Sequence, residues 1–386
     1  MNNWLTTPDN TKANAYTQIS EKTGMAVAAV EKDWWVVQIL ATIFEMPVGK
    51  HLVFKGGTSL SKAWNLISRF SEDVDLAIDP KFLGFEGELK KKDITALRKA
   101  ANQYISNTFY PELIQKMIEK GFTNLNWDII NTQESDQDPK IILMYYPNVI
   151  ESVGYIQPKV QIEIGCRSLR EPQKIAEFNA LVDEYYPNTN FAMPSIKVPT
   201  VVPERTFLEK IFLLHEEFSK PTQAIRIERL SRHLYDIYQL SKTEIKQKAL
   251  NDNELYETIV NHRHNFTRIS KVDYNKHQPQ TINPIPPTEV IKEWEADYNT
   301  MLTEMIYDEA PTFQKLIDEI AQLKTEINNL NWKMKTELEI IGNDGAQWII
   351  EGVKNNNYKL VVRWTPKISE EFKNFREIGE FLISKS

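Results

Sequence analysis

Two aspartates in a short alternating segment place the strongest constraint on the fold of this chain. Val74, Leu76 and Ile78 alternate with polar residues that include Asp73 and Asp75. This period of two predicts a β-strand, and side chains two apart on a strand point to the same face. Asp73 and Asp75 are therefore predicted to project together. Adjacent carboxylates repel each other, and a divalent cation commonly relieves that repulsion, so the segment predicts a metal site.

A pair of glycines shortly before this strand predicts a phosphate-binding turn. Residues 51–54 form a short apolar run typical of a strand, and a helix is predicted from Thr58 to Ile67. Glycines let a ligand approach the backbone, and a helix N-terminus offers free N–H groups to a phosphate. Either Thr58 or Ser59 could add the hydroxyl group. The residues of this turn that are predicted to bind a phosphate are Lys55, Gly56, Gly57, Thr58 and Ser59.

A third carboxylate is predicted from a second alternating segment at residues 158–165, where Glu163 lies on the polar face. Together with Asp73 and Asp75 it would hold Mg²⁺ (or Mn²⁺), which takes a few carboxylates plus substrate phosphates. Each motif alone is weak, and a capped helix beside a solvated strand would explain both. Their order of strand, turn, helix and strand favours metal-assisted chemistry on a phosphate.

The periodicity of the whole chain predicts an α+β protein in three parts. The predicted domains are residues 1–202, a core with N-terminal helices and a mixed β-sheet; residues 203–331, a helical domain; and residues 332–386, a small C-terminal α+β module. In the module, strands are predicted at 337–341, 347–353 and 359–364, and a helix at 370–384. A chain of 386 residues is longer than one hydrophobic core usually supports, so more than one domain is expected.

Composition narrows the classes of function. The net charge of −7 opposes general attraction to nucleic acid, so binding of RNA needs a local basic patch. Arg226, Arg229 and Arg232 have helical spacing and are either such a patch or a solvated face balanced by Glu228. The single cysteine, Cys166, excludes an internal disulfide and is predicted to pack at a strand end. No signal peptide or spanning segment is predicted, so the expected location is cytoplasmic, with no membrane partner.

Longer segments around these motifs resemble a known family. The matching segments are residues 31–35, 54–62, 69–76, 160–165, 203–210 and 231–238. In this order they resemble the AbiEii/AbiGii toxin family of nucleotidyltransferases, within the DNA polymerase β-like superfamily, over roughly residues 25–320. The superfamily usually begins its first motif with Gly-Ser, whereas this chain has Gly57-Thr58-Ser59. The resemblance implies a nucleotidyltransferase core in the first predicted domain.

The resemblance also implies roles for residues that spacing alone does not single out. Lys210 matches a lysine expected to contact the triphosphate, and Asp236 matches a later acidic position of the site. From spacing alone, Lys210 could be an exposed lysine whose stem covers apolar surface. Asp236 could form a plain surface ion pair with Arg232, four residues earlier. His233 is predicted to pack or form a hydrogen bond rather than act as a base. The implied catalytic residues are Asp73, Asp75, Glu163, Lys210 and Asp236.

The function implied by these residues is transfer of a nucleoside monophosphate from a nucleoside triphosphate to an acceptor hydroxyl. The acceptor is expected to be RNA, with a transfer RNA end as the first choice and a protein hydroxyl as the second. Resemblance further implies the toxin of a bacterial toxin–antitoxin or phage-defence system, with a cognate antitoxin as a partner. Two alternatives from other classes are a nucleotide-binding regulator without transfer activity and a metal-dependent nuclease.

Overall fold

A seven-stranded mixed β-sheet organises the N-terminal part of the chain, which confirms the predicted α+β class. The computed structural model describes residues 3–71, 73–87, 89–131, 137–151, 156–267, 269, 272–334, 347–354 and 357–364. The strands of the sheet are β1 (Leu52–Lys55), β2 (Asp73–Ile78), β3 (Asn126–Ile130), β4 (Lys140–Tyr145), β5 (Lys159–Gly165), β6 (Gln173–Phe178) and β7 (Ile196–Val201). Their order is β3-β4-β5-β2-β1-β7-β6, with β2 parallel to β5 and antiparallel to β1. The strand that carries the two aspartates is therefore the central one.

Helices precede the strands of the sheet in the chain, lie between them and follow them. They are α1 (Asn3–Thr6), α2 (Asp9–Thr23), α3 (Val27–Glu45), α4 (Gly56–Thr58), α5 (Lys91–Tyr104), α6 (Tyr110–Glu119), α7 (Leu181–Tyr185), α8 (Pro203–Phe218), α9 (Ser231–Ser241), α10 (Glu244–Leu250), α11 (Asn253–Phe266), α12 (Ile291–Glu304) and α13 (Phe313–Asn328). In the part of the chain that is described, none of them is long and apolar enough to cross a membrane.

Two predicted helices are shorter than their spacing indicates. The helix predicted from Thr58 to Ile67 is α4 followed by one wider, π-type turn at Ser59–Ala63. Asn65 then takes a φ of 51°, a left-handed conformation that cannot continue a right-handed helix. Residues 231–248, which have helical spacing throughout, form two helices, because the Thr243 hydroxyl accepts the Ile245 N–H and starts α10. Local hydrogen bonding therefore overrides the apolar period at both places.

The two faces of the sheet differ sharply. Phe54, Val74, Leu76 and Ile162 are 0% exposed and lie in the main apolar core, against which α3 packs. Since side chains alternate along a strand, the residues between them point to the opposite face. Lys55, Asp73, Asp75 and Glu163 all occupy such positions. The candidate site is therefore built on the face away from α3.

Helix α3 carries buried charges as well as buried tryptophans. The Glu31 carboxylate accepts the N–H groups of Val149 and Ile150 at 2.7 and 3.1 Å. The Asp33 carboxylate accepts the Leu181 N–H at 2.7 Å and pairs with Lys62 Nζ at 2.8 Å. These charged residues are therefore buried and do not form a solvated helix face. They satisfy loop N–H groups that would otherwise be costly to bury.

Contacts within the chain group it into two compact units, residues 1–272 with 283–326, and residues 273–282 with 327–386. In the second unit, Gln280 Nε2 donates to the carbonyl oxygens of Leu330 and Trp332 at 2.7 and 2.9 Å. Strands β8 (Gln347–Lys354) and β9 (Asn357–Trp364) form an antiparallel hairpin, which confirms two predicted strands. The strand predicted at 337–341 and the helix at 370–384 lie outside the described residues. The division at residues 203 and 332 stays a prediction.

Candidate active site

The glycine pair between β1 and α4 is required by the side chains packed against it. Gly56 has a φ of 81°, and a Cβ added there would lie 2.0 Å from Asp75 Oδ2. A Cβ at Gly57 would lie 2.5 Å from Arg69 Nη2 and 2.9 Å from Ser71 Oγ. Only glycine allows a carboxylate, a guanidinium and a hydroxyl to approach this backbone so closely. The turn is thus packed against three polar side chains.

Replacing Gly56 with alanine is expected to reduce the rate of a reaction at this site about 100-fold, since displacing a reacting group by about 1 Å costs that much. Gly84 is the matched control, because its φ is 86° and nothing lies within 4 Å of an added Cβ. Both variants should lose about 1–2 kcal/mol of stability through backbone strain. Only Gly56→Ala should also displace Asp75. If the two variants had equal rates with saturating substrates, Gly56 would not be needed to keep Asp75 in place.

Three carboxylates lie close together on the face of the sheet away from α3. In the register, Asp75 of β2 is the partner of Lys55 on β1 and of Glu163 on β5. Asp73 lies two residues earlier on the same face of β2. The predicted grouping of Asp73, Asp75 and Glu163 is therefore present, with Lys55 at the end of the row.

The charges of this row act on one another. Burial, followed by the negative charges of Asp75 and Asp73, raises the pKa of Glu163 to about 7, although a hydrogen bond from Gln161 and the charge of Lys55 oppose the shift. Among the described residues, no three His, Cys, Asp or Glu side chains form a ready metal cage. Mg²⁺ commonly needs only one or two carboxylates and completes its shell with water and substrate phosphates. Three clustered carboxylates that repel one another fit that ion.

The raised pKa of Glu163 predicts how the metal-free protein responds to pH. The folded state holds the Glu163 proton up to about pH 7, whereas the ordinary value is 4.5. Protonation of the folded state therefore favours folding at low pH, and this contribution is lost as the pH rises from about 4.5 through 7.

In the presence of EDTA, we expect the melting temperature of the wild type to fall more between pH 5 and pH 8 than that of Glu163→Gln. Glu293→Gln, which changes an exposed glutamate of α12, should follow the wild type. Adding Mg²⁺ at pH 8 should raise the wild-type melting temperature. A Glu163→Gln variant with an unchanged pH dependence would count against the carboxylate cluster.

The hydroxyl groups of Thr58 and Ser59 have different hydrogen-bond partners. Ser59 is fully buried, and its Oγ donates inward to the carbonyl oxygen of Gly56 at 2.8 Å. Thr58 Oγ1 donates to the carbonyl oxygen of Asp73 at 2.5 Å and lies 2.9 Å from Ser71 Oγ. Thr58 and Ser71 both line a cavity beside the turn. Of the two candidate residues, Thr58 lines this cavity and Ser59 does not.

A buried ion cluster lies behind the turn. Arg69 Nε and Nη2 donate to the two carboxylate oxygens of Asp236 at 2.7 and 2.8 Å. Lys210 Nζ lies 2.8 Å from Asp236 Oδ2 and 3.3 Å from His233 Nδ1. The surface alternatives for Lys210 and Asp236 are wrong, because Lys210 is 6% exposed and Asp236 is fully buried with Arg69 as a partner instead of Arg232.

The ionisation states of this cluster follow from its burial. Burial alone would raise the pKa of Asp236, but the charges of Arg69 and Lys210 outweigh it and hold that pKa well below the ordinary value. Burial, then the charges of Lys210 and Arg232, lower the pKa of His233 well below its ordinary range. Burial also lowers the pKa of Lys210, whose Nζ lies within hydrogen-bond distance of His233 Nδ1. The prediction that His233 forms a hydrogen bond is confirmed.

One cavity lies beside the glycine turn and another lies at the row of acids. The larger, about 500 Å³, lies beside the glycine turn, and its polar lining includes Thr58, Ser61, Lys62, Arg69 and Ser71. The smaller, about 150 Å³, is lined by Lys55, Asp75 and Glu163 together with side chains from the β4 and β5 ends. The larger cavity carries charges of both signs, because Asp33, Glu177 and Glu184 also line it, and of the two cavities the smaller is the one that Asp75 and Glu163 line.

Most predicted site residues are near one another, and the structure adds others. Lys210 and Asp236 line neither of these two cavities and lie behind Arg69, so the contact of Lys210 with a triphosphate stays a prediction. Sequence reasoning gave no role to Arg69, Ser71 or Lys62. Arg69 and Ser71 lie in the segment 69–76 that carries the resemblance, which was the available signal. Cys166 is buried at the end of β5, as predicted.

A mixed sheet that carries paired acids beside a Gly-Gly-Thr turn defines the class of this protein as a nucleotidyltransferase. Residues 38–321 match the family described as nucleotidyl transferase AbiEii toxin, type IV toxin–antitoxin system. The chain belongs to this family, which confirms the predicted resemblance.

Other comparisons are less close. The structure of the nucleotidyltransferase toxin MenT4 from Mycobacterium tuberculosis is 16% identical, with a TM-score of 0.38, over 81% of this chain and 97% of MenT4. A search among curated proteins finds no match.

Proposed function

We propose that this chain transfers a nucleoside monophosphate from a nucleoside triphosphate to the terminal hydroxyl of an RNA, with transfer RNA as the first choice. The observation that carries the proposal is the row of Asp73, Asp75 and Glu163 directly beside the Gly56-Gly57 turn. Such a reaction needs acids that hold a metal ion in contact with a turn that binds phosphate. We further propose that the chain acts as a toxin with a cognate antitoxin, in keeping with its family.

The larger cavity supports binding of the triphosphate. It is lined by the hydroxyl groups of Thr58, Ser61 and Ser71 and by Arg69, while the Lys62 ammonium group in it pairs with Asp33, and Glu177 and Glu184 add negative charge. Phosphate oxygens accept hydrogen bonds from such donors, and charge-assisted ones are the strongest. Arg69 is fixed by both oxygens of Asp236, so it is oriented before a ligand binds. The roles of Asp236 and Lys210 in the proposal are to hold Arg69 against the turn.

The reaction balances as a single displacement. The acceptor oxygen forms a bond to the α-phosphorus, the bond from that phosphorus to the bridging oxygen breaks, and pyrophosphate leaves. The hydroxyl proton passes to a carboxylate or to solvent. Asp73, Asp75 and Glu163 would hold Mg²⁺, which neutralises negative charge that develops on the phosphate oxygens. The protein's own contribution is to orient the two substrates and to exclude excess water.

Transfer is tested with each α-labelled nucleoside triphosphate in turn, with Mg²⁺ and total cellular RNA and protein. The wild type is compared with Asp75→Asn. Label that appears in RNA, and is lost in the variant, is the expected result and identifies the nucleotide. Label in protein alone would replace the RNA acceptor with a protein hydroxyl. Shortened RNA without label would establish a nuclease. Binding of a nucleoside triphosphate without transfer of label to RNA or protein would instead indicate a nucleotide-binding regulator.

A further inference from the structure

Strand β6 forms one edge of the sheet, and among the described residues no strand pairs with its outer side. The Val202 N–H donates to the Pro172 carbonyl oxygen at 3.2 Å, in step with the β6–β7 register, so position 172 bonds toward β7. Bonding positions alternate along an antiparallel strand, so the even-numbered residues of β6 bond to β7. The backbone N–H and C=O groups of Gln173, Ile175 and Glu177 therefore point to the free edge.

This edge is regular and has an apolar centre. Bulges and prolines commonly keep a sheet edge from pairing, and β6 contains neither, because its register with β7 is unbroken from Gln173 to Phe178. Ile175 is 63% exposed, the highest value among the exposed large apolar side chains of the described residues. A regular edge strand with an exposed apolar side chain is a template for pairing with another strand.

Pairing of β6 with a second copy of itself has strict geometry. Two identical strands pair antiparallel about a two-fold axis perpendicular to the sheet, which keeps both copies of each face on the same side. An axis at Lys174 or at Glu177 would place that charged residue opposite itself, which is unfavourable. An axis at Ala176 would place Ile175 opposite Glu177. An axis at Ile175 places two isoleucines opposite each other and opposes no like charges.

The register centred on Ile175 also matches the polar groups of the edge. Gln173 of each copy then faces Glu177 of the other, and amide–carboxylate pairs of this kind form hydrogen bonds. Gln173 Nε2 already donates to Glu171 Oε1 at 2.9 Å, but an amide carries a second N–H. The outward backbone groups of all three odd-numbered residues meet their counterparts in this register.

We propose that residues 173–177 join two copies of this chain by antiparallel β6–β6 pairing centred on Ile175. So short an edge buries little area beside the roughly 1,200–2,000 Å² of a standard interface, so the dimer dissociates on dilution. The axis keeps both rows of acids on one face of a continuous sheet. With three strand spacings on each side of the axis and one across it, the two β2 strands lie roughly 33 Å apart.

The test measures the dimer Kd by sedimentation velocity over a range of protein concentrations. Ile175→Lys places two ammonium groups opposite each other and should raise the Kd by about tenfold or more. Ile118→Lys, at a position of α6 that is 46% exposed, is the matched control and should leave the Kd unchanged. Both positions are exposed, so both variants should keep the wild-type circular dichroism and melting temperature.

Two further variants test the register itself. Gln173→Lys should lower the Kd about fivefold by creating an ion pair with Glu177 at each end, and Gln173→Glu should raise it by a similar factor. Facing residues that exchange backbone hydrogen bonds have Cα atoms about 5.5 Å apart, within the range of a disulfide. Mild oxidation should therefore link Ile175→Cys into a covalent dimer and leave Ile118→Cys monomeric. Cys166 is buried and adds no background.

A wild type that stays monomeric up to its solubility limit would overturn the second copy as the occupant and leave the edge to an extended segment of another protein. A dimer whose Kd is the same in Ile175→Lys would overturn the proposal by placing the interface elsewhere. Equal disulfide formation in Ile175→Cys and Ile118→Cys would reflect random collision and would count against the pairing.

Discussion

Asp75→Asn is expected to lower the rate of nucleotidyl transfer about 1,000-fold, the upper range for removal of one electrostatic group that stabilises a transition state. The variant keeps the shape of the side chain and removes the charge at the centre of the row between Lys55 and Glu163. Because it also removes repulsion with Glu163, the metal-free variant should be as stable as the wild type or more stable. Single-turnover transfer and thermal unfolding together measure both effects.

Asp128→Asn is the control, because Asp128 is an exposed residue on β3 of the same sheet. Its transfer rate should equal that of the wild type. If Asp75→Asn retained a rate within threefold of the wild type, the acids could not be the site of the chemistry. A large loss of stability in Asp75→Asn would show that the carboxylate has a structural role instead.

Asp236→Ala is expected to lower the free energy of unfolding by about 3–5 kcal/mol, because it leaves the buried charges of Arg69 and Lys210 without their carboxylate. Chemical denaturation at pH 7 measures the change. Asp128→Ala, at an exposed position, should change the free energy by less than about 0.5 kcal/mol. A loss below about 1 kcal/mol in Asp236→Ala would contradict the ion cluster.

Two further measurements separate this ion cluster from a simple cavity effect. The double variant Arg69→Met with Asp236→Leu should lose less free energy of unfolding than the two single variants lose together, because it removes both partners of the buried pair. The lowered pKa of Asp236 means that its contribution is present above the ordinary carboxyl pKa and is lost as the pH falls through the folded value. The free energies of unfolding of the wild type and of Asp236→Asn should therefore converge as the pH falls.

Local sequence predicted the two strands at the centre of the fold, because β2 and β5 alternate strictly. Strands β3, β6 and β7 were not predicted. Strand β7 contains Pro199, a residue that argues against an interior strand. Strand β6 is at the sheet edge with Ile175 63% exposed, so its apolar pattern does not mark a buried face. Such strands form because their neighbours pair with them.

The candidate site likewise has parts that local sequence predicted and parts that it did not. The proximity of Asp73 and Asp75 follows from strand geometry, and Gly56 and Gly57 follow from the turn between a strand and a helix. The pairing of Arg69 with Asp236 joins residues 167 positions apart, which no local pattern predicts. The same is true of the register that places Glu163 beside Asp75. Geometry between distant segments is what the sequence alone could not supply.

The central position of β2 has a consequence for how the protein could be inactivated. Backbone amides of a strand with neighbours on both sides open to solvent only when much of the domain unfolds, unlike those of loops and edges. The acids on β2 therefore stay assembled whenever the sheet is folded. Any control of activity that leaves the protein folded has to act on what reaches the acids, by occupying or chemically altering the surrounding surface, because local melting of the strand is too costly.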